Sequence, residues 1–308
     1  MTEETINEPK THEPRIGPSS AGSEAAASPA LVMVSTPIGN LKDFSPRARD
    51  TLASVDAILC EDTRTSLVLL RAYDIKTKLI ALHEHNEESR IPGLISAMQN
   101  GARYAMISDA GTPLVSDPGY RLVRAAIEAG LVVGGVPGPN AAVLALTLSG
   151  LPPHPFLFMG FLPAKSGPRR AALERLRNAE AAGLSATLVI YEAPHRLAEF
   201  CADATEILGP RPAAICRELS KHFEEVRRGT LPELAAHYAT QPARGEITVV
   251  IGPAPDEPAS AETLDSALSG ALGQMSLKDA VNAVTVATGL AKKQVYARAL
   301  ELNQKLVK

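Results

Sequence analysis

The most constraining feature of this chain is an alternation that begins at Leu31. Five short apolar runs, Leu31–Val34, Ala57–Cys60, Leu79–Leu82, Tyr104–Ile107 and Val132–Val136, are separated by stretches whose apolar residues recur at helical spacing. Strands that alternate with helices pair through crossovers, so the pattern predicts an open, mostly parallel sheet. Helices are expected at 46–54, 65–72, 88–100 and 120–128, the third of them stopped by Gly101. Sheets of this kind bind ligands outside the carboxyl ends of their strands, which fall here at Ser35, Glu61, His83, Ser108 and Pro137.

The pattern restarts beyond Gly150-Leu151-Pro152-Pro153, a proline-rich break that predicts a boundary between α/β domains at 30–150 and 151–253. Runs at Phe156–Phe161, Thr187–Tyr191, Ala213–Cys216, Glu225–Thr230 and Ile247–Ile251, with a basic helix at 169–182, predict a second sheet. Its later strands lie close together in sequence, which favours mixed or antiparallel pairing. Residues 1–29 hold few large apolar side chains and are expected to be a disordered tail. Residues 254–308 read as a linker and a small C-terminal helical extension, with helices near 263–272, 276–288 and 291–302 and a capping signature in Ser276 and Asp279.

Three strand ends carry turns of small residues: Ser35-Thr36-Pro37-Ile38-Gly39-Asn40-Leu41, the stretch from Ser108 to Gly119, and Pro137-Gly138-Pro139-Asn140-Ala141-Ala142. In the middle one, Gly111 lets another molecule approach the backbone while Pro113 and Pro118 stiffen the path. No Gly-x-Gly-x-x-Gly follows the first strand and no Gly-Lys-Ser/Thr loop is present, which disfavours a plain dinucleotide or triphosphate site. Cys60, Cys201 and Cys216 are widely spaced and read as buried reduced thiols, and His83-Glu84-His85 lacks the third ligand that a metal site needs. No apolar run approaches the roughly 20 residues of a bilayer span and the amino terminus is acidic, so a cytoplasmic protein with no membrane contact is expected.

The net charge of -3 conceals an uneven distribution. Residues 1–29 carry five acids against Lys10 and Arg15, whereas 271–308 carries six basic residues against Asp279 and Glu301, a local excess of four positive charges. A polyanion responds to such local fields more than to the sum. Lys165, Arg169, Arg170, Arg175 and Arg177 form a second basic run, and the two patches are where a polyanion would be met.

The three turns, together with Glu61-Asp62-Thr63-Arg64, His85-Asn86-Glu87, Tyr191-Glu192-Ala193-Pro194-His195-Arg196 and Arg217-Glu218-Leu219-Ser220-Lys221, closely resemble a family. It is the small-subunit ribosomal RNA methyltransferase branch of the tetrapyrrole methylase superfamily, and the resemblance runs in order over roughly residues 30–253. It implies two α/β domains with S-adenosyl-L-methionine in the cleft between them, a homodimer, and as product a cytidine 2′-O-methylated in the decoding centre of 16S ribosomal RNA. By motif position it implies that Pro37, Ala110, Gly111, Thr112, Val115, Asn140, Ala141, Tyr191 and Leu219 line the cofactor pocket. It also implies that the terminal helices are the helix-turn-helix-like extension of this branch, with ribosomal RNA or the small subunit as partner.

A ribose hydroxyl is a weak acid, so a base or polarising cation is expected beside it. Candidates at the strand ends are Glu61, Asp62, Arg64, His85, Glu87, Glu192, His195, Arg196, Glu218 and Lys221, with Asp62 as proton acceptor, Lys221 lowering the hydroxyl's pKa, and Arg64 and Arg196 holding phosphates. Two other readings share the cofactor turns: a superfamily methyltransferase acting on a tetrapyrrole or a protein, and a catalytically silent RNA-binding assembly factor.

Overall fold

A computed structural model describes residues 28–255, 261–288 and 290–306. Nearly all of the tail expected at 1–29 and the middle of the expected linker lie outside the described residues. The first sheet comprises β1 (Leu31–Val34), β2 (Ala57–Cys60), β3 (Leu79–Ala81), β4 (Tyr104–Met106) and β5 (Val133–Val136). Its order is β3-β2-β4-β1-β5 and every pair is parallel. The crossovers are α1 (Pro46–Ser54), α2 (Thr63–Ala72), α3 (Glu87–Gln99) and α4 (Tyr120–Glu128).

These strands are apolar throughout because both faces are covered. Val32, Val34, Ile58, Cys60, Ala105 and Ile107 bury one face under α1 and α2, while Leu31, Leu59 and Met106 face α3 and α4 on the other. The amino terminus of α4 is capped across the fold, since the Leu122 amide donates to Oε1 of the buried Glu87 at 3.0 Å. Glu87 therefore holds a helix and does not face a ligand.

After α5 (Ala141–Ser149) come β6 (Phe156–Phe161), α6 (Ser166–Ala181), β7 (Thr187–Glu192), α7 (Leu197–Leu208), β8 (Pro212–Arg217), β9 (Glu225–Thr230), α8 (Leu231–Thr240) and β10 (Ile247–Ile251). The second sheet runs β6-β7-β10-β8-β9, parallel only between β6 and β7. Helix α6 begins at Ser166 instead of Arg169 because Pro168 falls in its first turn, where no intrahelical amide is required. One face of this sheet packs Leu188, Ile190, Ile215 and Val249 against α6, α7 and α8.

The other face is covered by α5. Ala142, Ala145 and Leu146 pack with Val189, Ala214, Cys216 and Val250, and Ile38 joins them, so one apolar cluster ties the turn after β1 to the second sheet. The carboxyl end of α5 is closed by Arg228 of β9, whose guanidinium donates to Ser149 O at 3.1 Å and Leu148 O at 2.5 Å.

The chain ends in α9 (Ala261–Leu272), α10 (Leu277–Thr288) and α11 (Lys292–Leu306), which share a small core around Leu268, Val281 and Val295. Ser276 and Asp279 form the expected cap, with the Asp279 amide donating to Ser276 Oγ at 3.3 Å. Among the described residues, no helix is long and apolar enough to cross a membrane.

Candidate active site

The three small-residue turns follow β1, β4 and β5, which are adjacent in the sheet, and they are bonded to one another. Thr36 and Gly111 exchange both backbone hydrogen bonds, at 2.8 and 3.2 Å. The Thr36 hydroxyl donates to Ser108 O at 3.2 Å, and the Thr112 hydroxyl to Pro139 O at 3.1 Å. Gly111 sits at φ +78°, and a Cβ there would meet Ile38 Cγ2 at 3.2 Å, so both conformation and close approach call for glycine. Asn140 caps α5, its side chain accepting from the Val143 amide at 3.1 Å.

The 108–119 loop is held in an unusual path. Leu114 and Ser116 lie at φ +71° and +69°, left-handed values that cost side-chain-bearing residues energy. Two more such residues, Glu218 and Ser220 at φ +50° and +65°, occur in the segment after β8. These two strained segments face each other across a cavity of about 400 Å³. The first sheet contributes Ile38, Ala110 to Thr112, Val115 to Asp117, Asn140 and Ala141 to its wall. From the second come Phe161, Tyr191 to Pro194, Cys216, Leu219 and the amino-terminal end of β10 from Glu246 to Thr248.

Eight of the nine residues implied as cofactor contacts thus lie on one cavity: Ala110, Gly111, Thr112, Val115, Asn140, Ala141, Tyr191 and Leu219. Pro37 does not line it; Pro37 is buried behind the wall and its neighbour Ile38 takes that place. The sequence reading missed the β10 contribution, treating Ile247–Ile251 as core alone. Its signal was the expected antiparallel pairing, which brings the start of one strand to the carboxyl ends of its neighbours. Tyr191 packs edge-on against Phe158 and at a tilt against Phe161, ring centres 5.0 and 5.6 Å away, and Phe161 remains 55% exposed at the rim.

The charged candidates divide by strand order. Glu61, Asp62 and Arg64 follow β2, and His85 follows β3, both on the far side of β4 from the cavity, and none of the four lines it. His85 is exposed. Asp62 corrects the expectation of a proton acceptor: it caps α2 through the Arg64 amide at 2.8 Å and pairs with the Arg64 guanidinium at 2.6 Å. Those bonds hold its carboxyl down at about 2, too weak a base for the role.

Lys221 does not line the cavity but is bonded to Glu246, which does. Its stem lies over Gly39, where a Cβ would come within 2.3 Å of Lys221 Cγ, and its ammonium pairs with Glu218 at 2.9 Å and Glu246 at 3.2 Å. Partial burial works against its charge, but the two carboxylates prevail and raise its pKa, so it is a fixed cation. The buried Glu192 accepts from the Ala193 amide at 2.7 Å and pairs with Arg196 at 2.6 Å, yet its Oε2 and the Arg196 Nε have no hydrogen-bond partner. Both atoms are shielded from solvent, so part of the pair's hydrogen-bonding capacity stays unmet.

The basic run on α6 also requires correction. Arg169 is 1% exposed and donates to Asp203 at 2.7 Å, and Arg170 pairs with Asp203 and Glu206, so neither is free to meet RNA. All three cysteines are buried, and burial pushes Cys201 up to about 12 and Cys216 up to about 11, which keeps both thiols protonated. Among the described residues, no three histidines, cysteines or carboxylates are placed to hold a metal ion.

A family model described as Tetrapyrrole (Corrin/Porphyrin) Methylases matches residues 30–235, and one described as RsmI C-terminal HTH domain matches 257–303. A protein named ribosomal RNA small subunit methyltransferase I from Mesorhizobium japonicum is 50% identical over 89% of this chain and 92% of its own length. Its namesake from Pseudomonas aeruginosa is 43% identical over 89% of this chain and 98% of its own. The solved structure of the methyltransferase CobJ superposes with a TM-score of 0.54 at 20% identity, covering 74% of this chain and 95% of the other, a likeness of fold. By these matches the chain belongs to the tetrapyrrole methylase family and, within it, to the ribosomal RNA small subunit methyltransferase I group.

Proposed function

We propose that this protein transfers the methyl group of S-adenosyl-L-methionine to 16S ribosomal RNA, at the 2′-hydroxyl of a cytidine in the decoding centre. The observation that carries the reading is the cavity itself, walled by three mutually bonded turns on one side and by Tyr191, Leu219 and the start of β10 on the other, with Lys221 bonded to Glu246 behind it. The names of the relatives, which specify small-subunit ribosomal RNA, support the choice of acceptor.

The residues fit the cofactor's chemistry. The volume falls within the usual range for small-molecule sites, Ile38, Val115 and Leu219 offer apolar surface, and Gly111 permits close approach. Ala110 to Thr112 with Val115, Asn140 and Ala141, and Tyr191 and Leu219 opposite, would hold it. When bound, the cofactor supplies a methyl group activated by its sulfonium. The chain's own residues align the acceptor, exclude water and handle the proton. Lys221, kept cationic by Glu218 and Glu246, stabilises developing negative charge at the acceptor oxygen from behind Glu246. Arg64, with its side chain 90% exposed beside Asp62 and away from the cavity, is a contact for phosphate of the RNA backbone.

Mass-spectrometric mapping of small-subunit RNA from cells lacking the protein tests the reading. Loss of one 2′-O-methyl group on one decoding-centre cytidine is expected, restored by the wild-type gene. An unchanged map would overturn it.

A further inference from the structure

The core shared by the terminal helices is aliphatic, built around Leu268, Val281, Val295 and Ala299. Tyr296 is the one aromatic residue between 254 and 308, and it is left out of that core, 47% exposed on α11. A large ring is what a small helical unit gains most from burying. This one makes no ring contact and no hydrogen bond among the described residues. Val295 and Ala299 turn one face of α11 inward, while Tyr296 and Leu300, each one residue further round, face out. Lys292 and Lys293 lie one turn before Tyr296, four and three residues back, and so flank its ring on the helix surface. Both are exposed, and neither has an acidic partner among the described residues.

A bare ring beside two unpaired ammonium groups matches a partner that joins a flat apolar surface to anionic groups, which is the chemistry of a nucleotide. The excess of four positive charges over residues 271–308 fits the same partner. Groove geometry decides which part of an RNA it takes. Three residues separate α10 from α11, the spacing of a helix-turn-helix, which on DNA lays its second helix in the major groove. The major groove of A-form RNA is too deep and narrow for side chains to read. On RNA, α11 therefore has no groove to enter, and its ring meets bases only where they are out of the helical stack.

We propose that Tyr296 is a stacking platform for an unpaired base of ribosomal RNA, with Lys292 and Lys293 on the phosphates that flank it. Among the described residues, none of the extension lines the cavity, so this contact acts on substrate binding and leaves the transfer step alone.

This inference rests on the RNA methyltransferase reading, and one set of measurements separates them. The full chain, Tyr296→Ala, Tyr296→Phe, Tyr296→Trp and the double variant Lys292→Gln with Lys293→Gln are titrated with a single-stranded oligoribonucleotide of mixed sequence and with a fully paired RNA duplex. The titrations are repeated across a salt series, and methyl transfer to unmodified small ribosomal subunits is assayed in parallel. Tyr296→Ala should weaken single-strand binding about 5- to 100-fold at an unchanged salt slope, with duplex binding within about twofold. Tyr296→Phe should stay near wild type, and the double lysine variant should lower the slope by about 1 to 2. On subunits, Tyr296→Ala should raise KM and keep kcat within about twofold. The chain holds no tryptophan, so Tyr296→Trp carries the only indole, and its emission should be quenched by the single strand and not by the duplex. Single-strand affinity of Tyr296→Ala within about twofold of wild type, an equal loss on the duplex, or a Tyr296→Phe as weak as Tyr296→Ala would each overturn the assignment. Altered sedimentation of Tyr296→Ala with unchanged RNA affinity would assign the ring to contact between copies of the chain and overturn it equally. A wild-type protein whose single-strand affinity depends on Tyr296 but that methylates no subunit would overturn the functional reading alone.

Discussion

Asp62 and Asp117 carry the same side chain, and their neighbours give them opposite chemistry. The sequence did hold a clue to Asp62, since Asp-Thr-Arg at a helix start is a capping pattern with a cation in reach. Nothing local distinguished Asp117, whose character comes from Glu61, distant in sequence, and from burial under a loop whose left-handed residues are leucine and serine. The same arrangement predicts a stability effect. A carboxyl whose pKa is raised on folding favours the native state fully below its ordinary value of 3.8, and that contribution is lost as pH rises through about 6. Asparagine mimics the protonated form at every pH. Asp117→Asn should therefore melt about 2 to 4 °C above wild type at pH 8, with the difference vanishing near pH 4. Melting curves followed by circular dichroism at the two pH values check this, and a lower melting temperature at pH 8 would contradict it.

At the scale of elements, the strands of the first sheet were legible because burial on both faces leaves continuous apolar runs, and their predicted and observed ends differ by a residue at most. The order of those strands was not legible. That order places the turns of β1, β4 and β5 at the cavity and carries those of β2 and β3 away from it, which is why His85 and Arg64 fall outside. Arg169 failed for a similar reason, because its partner Asp203 lies 34 residues away and only folding brings them together. Helix α8 could have been found, since Thr230 and Glu233 make a capping box visible as Thr-Leu-Pro-Glu. Helix α5 reads as a crossover of the first sheet, yet it is the cover of the second. Its exposed end carbonyls depend on Arg228, so Arg228→Ala should lower stability by about 1 to 2 kcal/mol, measured by urea unfolding. A value near zero would show that solvent replaces the guanidinium.

At the scale of the whole molecule, the terminal helices keep a core of their own, and Arg298 is spent inside it on Asp265 and Glu301. Lys278, Lys292 and Lys293 are exposed and have no acidic partner among the described residues. Removing residues 256–308 should leave the melting temperature of the rest within about 2 °C and lower the log–log salt slope of RNA affinity by about 2 to 3. An unchanged slope, read by filter binding across a salt series, would exclude the extension from the RNA interface. The apolar cluster that α5 shares with the second sheet and with Ile38 has a further meaning. Swinging the turn after β1 away from the second sheet would pull Ile38 out of that cluster and expose it to water, which opposes a hinge-like opening of the cleft.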